Sequence, residues 1–197
     1  MYSFSNITTK IQVSDYIRDY HDPDRFIKYC EECHQYGNCW SCPPFNFDVL
    51  EKITTYRYAY IIGTKIIIEE DLRLKAYDND KLKTLSYKVL DSVRSKMDKQ
   101  LLKLEKKYPE NMAFFGGSCR FSRKQKCKRI DGIVCNRPYL VRHSLESFGF
   151  DISKTCTELL NIELKWSENG ILPEYFILVS GIFSNNDNIE LSGLSDC

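Results

Sequence analysis

Four cysteines stand in one short segment with the spacing Cys30-x2-Cys33-x5-Cys39-x2-Cys42, and Pro43 follows the last of them. A gap of two residues lets neighbouring thiolates turn toward one centre, and four soft ligands suit zinc or an iron–sulfur cluster. Zinc ribbons usually separate their two pairs by about 15–20 residues, so the shorter gap here argues against that arrangement. The Cys-Pro ending is typical of the last ligand in bacterial ferredoxins. The segment therefore favours iron–sulfur over zinc.

A second cysteine segment begins at Gly116-Gly117 and contains Cys119, Cys127 and Cys135. These spacings are not diagnostic, and three ligands do not complete a tetrahedral site. We expect the two glycines to let the backbone approach a cluster closely. The basic stretch RKQKCKR is interpreted as a solvated loop, with stabilisation of thiolates or binding of an anion or nucleic acid as the alternatives.

Cys156 and two histidines are weaker candidates. Cys156 falls in a helical pattern with leucines, which predicts a core residue, with a ligand role as the alternative. His34 is predicted to be exposed in the first loop, although it could act as a ligand or as a partner of one. His143 is predicted to pack a helix against the cysteine loop. Arg142 could bind an anionic substrate or partner. No phosphate-binding loop and no recognisable Ser/His/Asp or Cys/His nucleophile accompanies them.

The hydrophobic pattern predicts the elements that position these residues. Residues 79–107 repeat apolar side chains at helical spacing, and Ile- and Tyr-rich runs predict strands. The predicted strands are 56–68, 112–115, 162–166 and 175–183, the last two joined by a turn at Asn169-Gly170. The predicted shorter helices are 48–54, one from Ser14 that Pro23 interrupts, one from Pro138 to about Phe148, and one from Ser153 to Leu160. The result is an α+β fold, a small central sheet covered by helices, with the cysteine loops 30–44 and 116–138 at strand ends.

Composition is ordinary for a globular protein and excludes several classes. The chain has 197 residues, 43% of them hydrophobic and 28% charged, which predicts one domain over 1–197 with a loose polar tail from about 184. A net charge of +1 gives no strong field toward nucleic acid or an anionic membrane. No apolar run is long enough to cross a membrane, and no secretory signal is apparent. We therefore expect a cytoplasmic protein, in which clustered cysteines bind metal more often than they form disulfides.

Several stretches of the sequence resemble an uncharacterised prokaryotic family of small cysteine-rich proteins described as predicted metal-binding proteins. These stretches lie between about residues 24 and 183 and read CEECHQYGNCWSCPPF, YRYAYIIG, FFGGSC, CNRP, VRHSLESFGFDISKT, IELKW and LPEYFILVSGIF. The resemblance therefore covers nearly the whole chain and implies that it binds metal.

The family pattern also implies which cysteines are ligands. Its first segment is similar to the one here at Cys30, Cys33 and Cys42, and its second at Cys119, Cys127 and Cys135. Two of the chain's departures from the pattern concern the cysteines themselves. Ser122 stands where the family has a further cysteine, and Cys39 stands where the family often has none.

The two departures leave the family's total of seven cysteines unchanged and suggest two hypotheses. In the first, the segments meet in space and Cys39 replaces the missing ligand. In the second, Cys30, Cys33, Cys39 and Cys42 close one site. Cys119, Cys127 and Cys135 then form another with an open position, which Ser122 or an external ligand could fill.

The function that follows is an iron–sulfur protein, with one or two 4Fe-4S clusters, that transfers electrons or assists a redox enzyme. Its partner would be a redox protein or a small molecule, with no membrane and no nucleic acid involved. One alternative is a structural zinc protein that presents an interaction surface. Another is an enzyme that uses a three-cysteine cluster with an open iron, for example to remove sulfur from a small molecule. The sequence does not determine the oligomeric state.

Overall fold

A four-stranded antiparallel sheet forms the centre of the computed structural model, which describes residues 2–121, 126–191 and 194. The strand order is β1-β2-β4-β3. The strands are β1 (Tyr2–Gln12), β2 (Tyr58–Ile68), β3 (Met112–Phe114) and β4 (Tyr175–Ser184). This architecture confirms the predicted α+β class.

The central strands β2 and β4 are buried on both faces, which explains their nearly continuous apolar sequences. Successive side chains of a strand point to opposite faces. Ala59 and Ile61 accordingly join one core layer, and Ile62 and Ile66 join the other.

One face of the sheet is covered by the long helix α5 (Asn79–Lys107), whose bounds agree with the prediction. Asp78 caps the helix by accepting a hydrogen bond from the Lys81 N–H at 2.8 Å. The buried apolar stripe that packs on the sheet consists of Val89, Val93, Met97, Leu101 and Leu104.

Shorter elements cover the other face: α1 (Val13–Tyr20), α3 (Val49–Ile53) and α6 (Ile152–Lys154), which continues as a π-helical turn over Thr155–Leu159. Helix α2 (Pro23–Glu31) has no buried residue and contacts the turn at Glu146–Phe148. The short helix α4 (Glu70–Arg73) follows β2. Tyr16 of α1 is fully buried and stacks on Phe150 with a centroid distance of 4.4 Å. These aromatic contacts attach the segment that follows the second cysteine loop to the sheet.

Two predicted elements are wrong. The helix expected over 138–148 is replaced by isolated 3₁₀ turns at Pro138–Leu140 and Glu146–Phe148. Residues 141–144 between these turns are not helical. There the His143 carbonyl accepts a hydrogen bond from the Phe115 N–H. Residues 162–166 form no strand. Ile162 packs into the core, and the Tyr175 hydroxyl donates to the Glu163 carbonyl at 2.6 Å, so these two contacts hold the segment in place.

Two predicted helix starts are also corrected. The first helix begins at Val13 with Gln12 at its cap, so Ser14 lies inside it. The later helix is capped by Asp151, which accepts from the Lys154 N–H at 2.8 Å, and not by Ser153.

Part of the chain after β4 packs against the fold. Ile189 and Leu194 are buried in the core layer beneath α5. The Asn186 carbonyl accepts a hydrogen bond from the Tyr60 hydroxyl. Two apolar side chains in the polar segment are thus enough to attach it. No helix among the described residues combines the length and apolar character needed to cross a bilayer.

Candidate metal centre

The first cysteine loop leaves the end of α2 and folds through two tight turns. The Cys33 N–H donates to the Cys30 carbonyl and the Cys42 N–H to the Cys39 carbonyl, each at 3.0 Å. The two-residue gaps are therefore backbone turns. Gly37, with a φ of +66°, takes a left-handed conformation that suits glycine, and its N–H donates to the Pro43 carbonyl at 2.8 Å.

The cysteines of this loop lie at different depths. Cys39 and Cys42 are buried, Cys30 is half-buried and Cys33 is exposed. The pKa of the Cys42 thiol is raised by a hydrogen bond with the Cys39 thiol and by burial. A metal bound there would displace these thiol protons, since thiolates are the ligands.

The second cysteine loop leaves β3 and turns at Gly117, whose φ is +96°. The Arg94 guanidinium, buried on α5, donates to the Gly117 carbonyl at 3.1 Å and to the Ser118 carbonyl at 2.5 Å. A side chain on Gly117 would lie 3.7 Å from that guanidinium. That distance is an ordinary van der Waals contact, so the left-handed φ is what favours glycine here. Helix α5 fixes the backbone directly before Cys119.

The two loops meet at Ser41, which is fully buried. Its hydroxyl oxygen accepts a hydrogen bond from the Cys119 N–H at 2.9 Å and lies 3.2 Å from the Cys39 sulfur. The Cys42 sulfur is 3.7 Å away from the same oxygen. Because the oxygen accepts from Cys119, the hydroxyl proton is available to a cysteine sulfur.

Arg129 provides a second connection between the loops. Its guanidinium donates to the Cys39 carbonyl at 2.8 Å and the Cys42 carbonyl at 2.6 Å, and also to the Pro44 carbonyl. It lies 5.3 Å from the ring centroid of Trp40. A planar fork of donors is suited to bridging several acceptors at once. One residue of the second loop therefore fixes three carbonyls of the first.

His143 and Arg142 serve packing and ion pairing. His143 Nδ1 lies 3.2 Å from the Ser41 carbonyl oxygen, and burial lowers the pKa of this imidazole. The Arg142 guanidinium forms an ion pair with the Glu105 carboxylate of α5. His34 is exposed and hydrogen-bonded to the Gln35 side chain.

Cys119, Cys127 and Cys135 line a small cavity of about 70 Å³. The Cys135 sulfur accepts a hydrogen bond from the Arg137 N–H at 3.4 Å. Basic side chains share the lining, namely Lys126, Lys128 and Arg137.

The predicted ligand residues come together to different degrees. Cys39, Cys42 and Cys119 form one buried cluster, and Cys127 packs against it. Among the described side chains no three Cys, His, Asp or Glu residues already surround one point as metal ligands. Cys156 is fully buried in the core layer around Tyr16, and its pKa is raised by burial to about 12. Ser122 lies outside the described residues.

Ser41, Arg129 and Arg94 are the residues of this site that the sequence did not reveal. Each acts through a residue distant in sequence, so no local spacing indicated its role. Two signals could have drawn attention to them: Ser41 stands between two cysteines of the first loop, and Arg129 ends the basic stretch RKQKCKR.

Comparison with known proteins gives one match. The sequence model of a family described as "predicted metal-binding protein (DUF2284)" covers residues 16–181. No curated protein and no solved structure matches the chain significantly. The chain therefore belongs to the DUF2284 family of predicted metal-binding proteins.

Proposed function

We propose that this metal-binding protein holds an iron–sulfur centre shared by its two cysteine loops and uses it to transfer electrons. Cys39, Cys42 and Cys119 would form the middle of the ligand set. Further ligands would come from Cys127 and Cys135 on one side and from Cys30 and Cys33 on the other. When bound, the centre would supply one-electron chemistry.

The observation that carries the proposal is the buried contact of Cys39 and Cys42 with Cys119. It supports the hypothesis in which the segments meet and Cys39 replaces the cysteine ligand for which this chain has Ser122. Two separate sites would not require the loops to share Ser41 and Arg129 as connections.

The surroundings of the sulfurs support iron–sulfur over zinc. The Ser41 hydroxyl lies beside the Cys39 sulfur, and the Arg137 N–H reaches the Cys135 sulfur. Hydrogen bonds to sulfur and nearby positive charge adjust the reduction potential of iron–sulfur centres. Zinc has no redox function that such donors could adjust.

An exposed apolar surface beside the second loop supports a protein partner. Its side chains are Trp40, Ile130, Ile133, Val134 and Tyr139, and Val134 is 77% exposed. Trp40 belongs to the first cysteine loop and donates from its indole to the Ile133 carbonyl of the second. A redox protein docked there would approach the cysteines closely.

The test is anaerobic purification followed by iron, zinc and acid-labile sulfide analysis with a visible spectrum. Iron with matching sulfide, and a broad band that dithionite bleaches, is the expected result. Colourless protein that contains zinc would overturn electron transfer and leave the structural zinc role.

Two variants distinguish a shared centre from two separate ones. Cys39→Ser and Cys119→Ser are each expected to remove the iron of the whole centre, because both supply it with ligands. Cys156→Ala, in the core layer, is the control that keeps its iron. If each variant loses only about half of the iron and the double variant loses all of it, the two-site hypothesis is correct.

A further inference from the structure

The described part of the second cysteine loop carries a local positive charge. Residues 126–137 contain four basic residues and one acidic residue, so this stretch has a net charge of +3 in a chain whose total is +1. Lys126, Lys128 and Arg137 are exposed. Among the described residues no ion pair neutralises these three, whereas Arg142 pairs with a carboxylate of α5. Their charge is therefore available to a partner.

Apolar side chains lie exposed in the same stretch. Ile133 is 51% exposed and Val134 is 77% exposed. Neighbouring exposed apolar residues mark interaction sites, whereas scattered ones do not. An apolar centre surrounded by a polar rim is the usual anatomy of a protein–protein interface. We call this surface the docking face, and its residues are Trp40, Lys126, Lys128, Ile133, Val134 and Arg137.

Trp40 holds the apolar centre of the docking face in place. Its indole N–H donates to the Ile133 carbonyl at 3.0 Å, and the Arg129 guanidinium lies 5.3 Å from its ring centroid. Trp40 and Val134 also line one open cavity of about 240 Å³. Within the second loop, the Ile133 N–H donates to the Lys128 carbonyl at 2.9 Å. A face that is formed before binding loses less conformational entropy when a partner binds.

The docking face borders the proposed metal centre. Lys126, Lys128 and Arg137 line the same small cavity as Cys127 and Cys135. Val134 directly precedes Cys135 in the chain. A protein seated on the face would therefore cover the cysteines of the second loop.

An acidic protein fits this face better than nucleic acid does. The basic side chains would pair with phosphates as well as with carboxylates. Nucleic-acid single strands, however, are bound largely by stacking of bases on aromatic rings, and the most exposed part of the apolar centre is aliphatic, at Ile133 and Val134. A protein with an apolar patch of its own would cover both side chains.

We propose that the docking face binds an acidic one-electron carrier protein, in which carboxylates surround an apolar patch. The carboxylates would pair with Lys126, Lys128 and Arg137, and the apolar patch would cover Val134. Complementary charge raises the association rate and orients the partner. The redox character of the partner rests on the proposed function, since one electron would pass between carrier and metal centre, oxidising one as it reduces the other. Its acidic charge rests on the docking face alone.

The probe for this proposal is oxidised flavodoxin, a small acidic flavin protein, with basic cytochrome c as the comparison. Each is titrated calorimetrically into the protein as purified, at about 20 mM and about 500 mM sodium chloride. Saturable binding of flavodoxin is expected at low salt, weaker by about tenfold or more at high salt, with no binding of cytochrome c. Absence of flavodoxin binding, or equal binding of cytochrome c, would overturn the proposal. Tighter binding of a short single-stranded DNA would overturn it in favour of nucleic acid.

Iron analysis of the same samples separates this proposal from the proposed function. Oxidised flavodoxin binds through its surface, so the titration does not require a loaded metal centre. Binding by protein without iron would support the acidic partner and refute the iron–sulfur centre. Protein with iron that binds no flavodoxin would refute the docking face and leave the centre in place.

Variants locate the binding. Lys128→Glu reverses one charge of the rim and is expected to weaken flavodoxin binding about tenfold at low salt, whereas Lys75→Glu, at an exposed lysine before α5, is expected to leave it unchanged. Val134→Ser removes apolar area that docking would bury and is expected to weaken binding about tenfold, with Leu74→Ser as its control at a leucine that is 71% exposed. Binding as tight as that of the matched control, in either variant, would contradict the assignment. The serine variant provides the test if Lys128→Glu does not fold.

Discussion

At the scale of single residues, the site depends on two polar side chains that join the cysteine loops. Ser41 connects the Cys119 backbone to the Cys39 sulfur, and Arg129 connects the second loop to three carbonyls of the first. Ser41 accepts from a buried N–H, and Arg129 adds donors to carbonyls of the first loop. Their substitution is therefore expected to affect both stability and the metal centre.

Replacing Ser41 by alanine removes the acceptor of the Cys119 N–H. A buried donor left unpaired costs about 1–3 kcal/mol, so the free energy of unfolding should fall by that amount in a urea titration. The visible absorption band of the loaded protein should shift as well, because a sulfur loses a hydrogen-bond donor. Ser153→Ala, at an exposed serine, is the control, and equal behaviour of the two variants would show that Ser41 does not join the loops.

Replacing Arg129 by lysine keeps the charge but removes the planar fork. One ammonium group cannot reach all three carbonyls in the same geometry, so we expect a loss of about 1–3 kcal/mol in the free energy of unfolding. Arg18→Lys is the matched control, since the Arg18 side chain is 65% exposed and forms only surface ion pairs. A loss as small as that of the control would mean that charge alone accounts for the role of Arg129.

At the scale of elements, helix α5 has two functions on different faces. Its apolar stripe packs on the sheet, and its polar residues hold the second cysteine loop. Asp98 of the helix also pairs with Arg120 at 3.1 Å, one residue beyond Cys119. The helix therefore fixes the loop relative to the core.

Replacing Leu101 by alanine tests the packing of α5. Leu101 is fully buried, so the lost burial and the cavity left behind should lower the free energy of unfolding by about 2–5 kcal/mol. Leu74→Ala, at a leucine that is 71% exposed, should change it by less than about 0.5 kcal/mol. Denaturant titration of both variants measures the difference, and a small effect at Leu101 would contradict the packing described.

At the scale of the whole molecule, the two core layers of the sheet are distinct from the cluster of cysteine side chains. Cys39, Cys42 and Cys119 make a separate cluster of their own. A bound metal centre would cross-link loops that the core already brings near each other. The fold and the site should therefore respond differently when metal is removed.

Removal of metal by a chelator under reducing conditions tests this division. Amide hydrogen exchange is expected to become faster in 30–44 and in 116–138, because the ligands are released there, and to change little in β2 and β4. Mass spectrometry of the loaded and metal-free protein measures it segment by segment. Equal acceleration in the central strands would show instead that the whole fold depends on the metal.

The sequence by itself determined the parts that rest on local patterns. The apolar period of α5 and the Ile-rich run of β2 led to their bounds, since burial on one or both faces imposes those patterns. The spacing of the cysteines and the resemblance to a metal-binding family indicated the kind of site.

The tertiary structure alone decided which residues meet. The cluster of Cys39 and Cys42 with Cys119, the connections through Ser41 and Arg129, and the packing of Ile189 all join segments far apart in sequence. The absence of a helix over 138–148 has the same origin, because a hydrogen bond to Phe115 outweighs the local helical preference. Such contacts gain their free energy only when the chain is folded, so no local pattern records them.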